Sequence, residues 1–183
     1  MKKIILIGLS VVVIILLVLF FYINNRNRTL SPMGETQASV GDLSVVVEYS
    51  RPSVRNRVVF GTEQEGALQP YEIYWRLGAN EPTRLSVSKD FYFGEEVIES
   101  GTYDLYAVPG PEKFMLVLNE GNRWWGYTEP DYCLDRAKIY VPVSRENSHT
   151  EQFTIEAIGG DDGVVLDFTW ADWQWEVLLT SRY

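Results

Sequence analysis

Gln152-Phe153-Thr154-Ile155-Glu156-Ala157-Ile158-Gly159-Gly160-Asp161-Asp162-Gly163-Val164-Val165-Leu166-Asp167-Phe168-Thr169 decides the fold. Two runs rich in β-branched and aromatic residues flank a short polar turn. Gly-Gly and Asp-Gly supply positive φ at little steric cost, so the stretch reads as an antiparallel hairpin. Asp161 and Asp162 offer oxygen donors for Ca²⁺, but the alternating Asp-x-Asp spacing of a calcium loop is missing, and the turn reading stands first.

The same grammar recurs on both sides. Gly101-Thr102-Tyr103-Asp104-Leu105-Tyr106-Ala107-Val108 alternates and stops at Pro109-Gly110-Pro111, and 114–118 follows as its hairpin partner. Further strands are predicted at 43–49, 58–60, 83–88, 91–93 and 136–143, with the last at 175–179 after a turn at 170–173. Residues 129–134 read as one helical turn with Asp131 near its start. Strands spaced every 8–14 residues, with no sustained helical period outside the N-terminus, predict an all-β domain over 42–180, an antiparallel sandwich or barrel.

The N-terminus differs in kind. Residues 4–23 carry no charge and are mostly Ile, Leu, Val and Phe. Twenty helical residues span about 30 Å, the hydrocarbon thickness of a bilayer. No Ala-x-Ala pattern follows, so an uncleaved signal anchor is expected in preference to a cleaved signal peptide, with 1–3 as a cytoplasmic tip. Residues 24–41 are polar and predict a flexible linker. Lys2 and Lys3 against Arg26 and Arg28 give a slight charge bias that places the β-domain in the periplasm or otherwise outside the cytoplasm, in a single-pass membrane protein.

The 183-residue chain has a formal net charge of −9. Residues 1–23 hold two lysines and no acid, so the remainder sets fourteen basic against twenty-five acidic residues, a net −11. Such a domain repels phosphate backbones, and no nucleic-acid partner is expected. Cys133 and His149 are the only residues of their types, which leaves no Cys/His metal cluster, no HExxH and no Gly-x-Ser-x-Gly elbow. No metal and no cofactor are expected. Cys133 reads as a small buried apolar residue, and His149, within the polar loop 144–150, as a solvated one.

Chemistry concentrates instead in Arg76-Leu77-Gly78-Ala79-Asn80-Glu81-Pro82-Thr83. Arg51, Arg55, Arg57, Arg76 and Arg84 cluster in an otherwise acidic chain, and converging guanidiniums bind anions bidentately. The candidate ligand-binding set is Arg51, Arg57, Arg76, Asn80 and Glu81. The competing reading is structural, with Arg76 paired to Glu81 or Glu72 and Asn80 capping a turn. Trp173 and Trp175 share one strand face and are assigned to the core. Trp124 and Trp125 point oppositely if extended, so one of them is a surface aromatic.

Three stretches carry a family resemblance: 49–61 with Ser50-Arg51-Pro52, 70–83 with Trp75-Arg76-Leu77-Gly78-Ala79-Asn80-Glu81, and 101–110. Together they resemble DUF2911, a bacterial domain family of unknown function, over about 41–179. The resemblance implies an envelope protein behind a signal peptide or anchor and carries no activity across. The expected function is therefore non-enzymatic binding of a small polar or anionic ligand, or of an envelope protein partner. The alternatives are a hydrolase-like enzyme using Arg76, Asn80 and Glu81, and a purely structural component of an envelope complex.

Overall fold

A computed structural model describes residues 2–145 and 148–182. Glu146 and Asn147 of the expected polar loop lie outside the described residues, as does Met1 of the tip. Two antiparallel sheets form a sandwich. One sheet orders its strands β1-β2-β5-β8-β9-β10 and the other β11-β12-β13-β6-β7. The first comprises β1 (Met33–Val40), β2 (Leu43–Ser50), β5 (Thr83–Val87), β8 (Gly101–Val108), β9 (Lys113–Asn119) and β10 (Asp135–Pro142). The second comprises β11 (Thr150–Gly159), β12 (Val164–Ala171), β13 (Trp173–Ser181), β6 (Phe91–Phe93) and β7 (Glu96–Ile98). A small parallel pair, β3 (Phe60–Gly61) and β4 (Gln69–Pro70), lies outside both. The sheets stay open, so the sandwich is realised and the barrel is not.

The opening hairpin is β11–β12, in register from Gly159↔Val164 back to Thr154↔Thr169. Gly160 N–H closes the turn on Gly163 O at 2.8 Å. The Pro-Gly-Pro hairpin is β8–β9, paired Val108↔Met115. Alternating residues of both sheets fill the space between them, among them Val45, Val47, Leu85, Leu105, Leu116, Ile155, Leu166, Phe168 and Trp175. Phe60 plugs this core, its ring touching Trp75, Phe114, Trp170, Trp173 and Trp175. Trp173 and Trp175 are buried, as their spacing predicts.

Helix α1 (Lys2–Leu30) is long and apolar enough over Leu6–Leu30 to cross a membrane and is compatible with membrane association. It corrects the expected linker. α1 continues past Ile23 to Leu30, and β1 occupies Met33–Val40, so only Ser31 and Pro32 separate helix from sheet. The reason is local. No helix breaker occurs between Ile23 and Pro32, and a proline disfavours helix in the residue before it. β1 escaped the sequence reading because it alternates exposed with half-buried residues at a sheet edge and buries no large apolar side chain. It nevertheless pairs with β2 along its whole length, Met33↔Ser50 to Val40↔Leu43.

One face carries an additional layer. Asp104 and Tyr106 lie on the outer side of β8 and would face solvent in a bare sheet, yet both are buried. Residues 120–134 fold over them, tied down where Asn119 Nδ2 donates to Asp131 O at 2.9 Å and Glu120 N–H to Leu134 O at 3.0 Å. This loop ends in a 3-10 turn, Tyr132–Leu134, shorter than the expected 129–134 and capped by the Asp131 side chain. Cys133 departs from its expected burial and is exposed, because the short turn presents it outward from the covering loop.

Candidate functional site

The bend at 76–83 is built by long-range backbone contacts. Trp75 exchanges two 2.8 Å backbone hydrogen bonds with Ala107, which fixes the chain against the end of β8. The chain then reverses through Leu77 (φ 53), Gly78 (φ 154) and Asn80 (φ 56). Asn tolerates the left-handed region better than most residues, and Leu77 is held there by its surroundings. Trp75 Nε1 donates to Gly78 O at 3.1 Å, and Thr83 Oγ1 donates to Leu77 O. Gly78 must be glycine, since a Cβ there would lie 2.8 Å from Ser50 O.

A cleft of about 220 Å³ opens beside this bend. Its walls are the end of α1 (Asn27, Leu30, Ser31), the loop carrying Ser53, Arg55 and Arg57, and the segment from Arg76 to Asn80. Arg55 and Asn56 adopt positive φ, 50° and 55°, which turns the loop back onto the helix end. Arg57 braces that loop, with Nε donating to Val54 O at 3.0 Å and Nη2 to Ser53 O at 2.7 Å. Arg55 Nη2 donates to Leu30 O at 3.2 Å, and Asn80 Nδ2 to Ser31 O at 3.3 Å. Both cap the C-terminal end of α1, where free carbonyls carry partial negative charge.

Arg76 is different. Its buried Nε has no hydrogen-bond partner. Its guanidinium stands 5.9 Å from the Tyr127 ring centroid, and the groups that act on its charge are Tyr74, Tyr127 and Arg123. Burial pulls its pKa below the usual arginine value. Among the described residues, none of Arg55, Arg57 and Arg76 forms a side-chain ion pair with a carboxylate. Glu151 accepts the Arg55 backbone N–H at 3.0 Å but does not line the cleft.

The candidate set therefore divides. Arg57, Arg76 and Asn80 meet in the cleft, joined by Arg55. Arg51 reaches instead to the other sheet, with Nε donating to Phe153 O at 3.3 Å and Nη2 to Thr154 Oγ1 at 3.0 Å. Glu81 turns the other way and pairs with Arg28 of α1. Its Oε2 is buried without a partner, and it lines a separate groove with Met33, Glu48, Arg84 and Trp124. Arg76 thus pairs with neither Glu81 nor Glu72, while Asn80 does cap, although it caps a helix and not its own turn.

Sequence reasoning missed a second polar centre under the covering loop. Arg123 Nε donates to Asp104 Oδ2 at 3.1 Å, and its Nη1 to Tyr74 OH at 2.8 Å. Arg84 lies 3.7 Å from the other Asp104 oxygen and donates to Arg123 O at 3.0 Å. Burial raises the Asp104 pKa against the pull of the two arginines. Tyr106 OH meets Asp135 at 2.9 Å, and burial followed by that hydrogen bond pushes its pKa upward. Only the placement of Arg123 next to Trp124-Trp125 hinted that this segment packs on the sheet. Trp124 is 80% exposed, the expected surface aromatic. The two centres abut at Gly126, whose N–H donates to Asn80 O at 2.9 Å.

Among the described residues, no carboxylate, histidine or cysteine lines the cleft. It offers guanidinium and amide donors, which recognise an anion, and no base to activate a nucleophile. No curated protein and no solved structure matches the chain. A family model described as protein of unknown function (DUF2911) matches residues 31–179, a span that holds the bend, the arginines of the cleft and nearly all of both sheets. On that match the chain belongs to the DUF2911 family.

Proposed function

We propose that this protein is a signal-anchored, extracytoplasmic β-domain that binds a small anionic ligand without chemical turnover. The observation that carries the reading is Arg76, a mostly buried arginine with no carboxylate partner, which lines one cleft together with Arg55 and Arg57. An uncompensated cation in a partly desolvated site is costly, and an anionic ligand removes that cost. Bidentate geometry favours phosphate or carboxylate oxygens. The missing base and the diversion of Glu81 to Arg28 favour binding over hydrolysis.

The test is a thermal-shift and calorimetric titration of the full chain in maltoside micelles with phosphate, sulfate, citrate and neutral sugars. Anions are expected to raise the melting temperature, and Arg76→Gln to abolish the rise. Equal responses to sugars, or an unchanged response in Arg76→Gln, would overturn the reading. Topology is checked separately by protease digestion of spheroplasts, in which an extracytoplasmic domain is cleaved and a cytoplasmic one protected.

A further inference from the structure

The cleft has a wall that a soluble binding site would lack. Asn27, Leu30 and Ser31 belong to, or directly follow, the apolar helix. Ile23 is the last residue of its continuous apolar run. Asn27 and Leu30 stand four and seven residues beyond it, a rise of about 6 to 10 Å. The polar layer on each side of the hydrocarbon core is about 5 to 8 Å thick, so the helix wall of the cleft starts within the head-group layer at Asn27 and reaches its outer edge at Leu30.

Two further observations agree. Trp124 and Tyr127 are 80% and 78% exposed and lie on either side of Trp125-Gly126, where Gly126 is bonded to Asn80 beside the helix end. Amphipathic aromatics of this kind settle at membrane interfaces, where an apolar body and a polar edge are both satisfied. Arginines also concentrate at one end of the domain. Arg28, Arg55, Arg57 and Arg76 gather at the α1 end, where Glu81 is engaged by Arg28 and Glu151 accepts the Arg55 backbone N–H. Asp161 and Asp162 lie beside Val40 at the far end of β1, about 24 Å along the strand. An acidic domain that would otherwise be repelled by anionic lipid thus carries its arginine cluster at the end that joins the apolar helix.

Resting on the anion-site reading, we propose that the cleft's occupant is the phosphate-bearing head group of an anionic phospholipid in the leaflet α1 enters. Arg76 and Arg57 would hold the phosphodiester oxygens, with Trp124 and Tyr127 seated among neighbouring head groups. A free phosphate shares the binding chemistry, and the experiment separates the two sources.

The full chain is reconstituted in nanodiscs of phosphatidylcholine alone and of phosphatidylcholine with phosphatidylglycerol. It is compared with maltoside micelles holding inorganic phosphate or glycerol phosphate. The readouts are the melting temperature and the lipid retained after detergent extraction, measured by native mass spectrometry. The expected result is a higher melting temperature and retained phosphatidylglycerol in the anionic discs. Retention should fall several-fold in Arg57→Gln and Arg76→Gln, and the soluble anions should have a weaker effect. If soluble anions stabilise fully and lipid composition changes nothing, the lipid proposal fails while the anion site survives. If neither acts, both fail. The wild-type comparison of disc compositions stands even if a variant does not fold.

Discussion

Arg123 and Arg76 lie close enough to influence each other's charge, on two sides of Gly126, and their surroundings treat them in opposite ways. Arg123 is folded into a network in which Asp104 neutralises it and accepts from its Nε, and Tyr74 and Thr128 accept from its Nη1, although its buried Nη2, like Arg76 Nε, has no partner among the described residues. Arg76 has comparable burial around its Nε and no acid. A buried charge with a partner supports the fold, whereas one without a partner strains it. Similar side chains in one layer thus serve architecture on one side and, on our reading, recognition on the other.

The largest expected effect attacks the compensated side. Asp104 is 2% exposed, and Asp104→Ala strips both Arg123 and Arg84 of their carboxylate. A loss of about 3 kcal/mol is expected in chemical denaturation, with Asp104→Asn milder because an amide oxygen still accepts from Arg123. A loss within experimental error would erase the contrast between the two arginines.

Next comes the seam. A Cβ on Gly126 would lie 2.7 Å from Arg76 Cδ and 3.0 Å from both Asn80 O and Pro82 N. Gly126→Ala should cost about 1–3 kcal/mol by overpacking and should loosen the covering loop and the cleft together. Hydrogen exchange that rose in the loop alone would show that the two regions are independent.

A smaller effect separates the regions by pH. Tyr74 and Tyr106 are raised chiefly by burial, and Tyr132 is pushed up to about 12 by burial and the Glu129 carboxylate. Because the folded pKa exceeds the unfolded one, the stabilisation is full below about pH 10, the ordinary tyrosine value. For Tyr132 it fades as pH rises from there to about 12. Melting temperature should therefore fall across that interval, with phenolate absorbance appearing late. Arg57→Gln should leave this profile unchanged, whereas Arg76→Phe removes a cation that lowers the Tyr74 pKa and should move the Tyr74 step further upward.

The smallest effect is expected where intuition expects a large one. Arg76→Met removes a buried charge that lacks an acid, so stability should change by less than about 1 kcal/mol, or rise, while anion binding is lost. A loss as large as that of Asp104→Ala would mean that Arg76 is architectural after all.

Much of this was legible in the chain. Turn chemistry at Gly159-Gly160-Asp161-Asp162-Gly163 and Pro109-Gly110-Pro111 marked two hairpins that the structure contains. β1 was not legible, because an edge strand of small polar residues gives no apolar period. Nor was β7, at three residues. Arg57, Arg76 and Asn80 were legible as types, but their convergence was not. It depends on five residues at positive φ and on a helix end far away in sequence. Glu81 shows the limit best, since its partner Arg28 stands 53 positions earlier, beyond any local pattern.

The Ser31-Pro32 joint sets how far the domain can search. Two extended residues measure about 7 Å, whereas a freely jointed 18-residue linker would wander about 24 Å on average and stretch to about 60 Å. If α1 anchors the domain as proposed, so short a leash removes slack and holds the effective concentration of anything in the same leaflet high, while partners out of contact with the bilayer stay beyond reach. On the proposed lipid reading, encounter becomes a search in two dimensions, and the expression level per unit of membrane area, rather than per volume, governs how often the cleft meets its ligand.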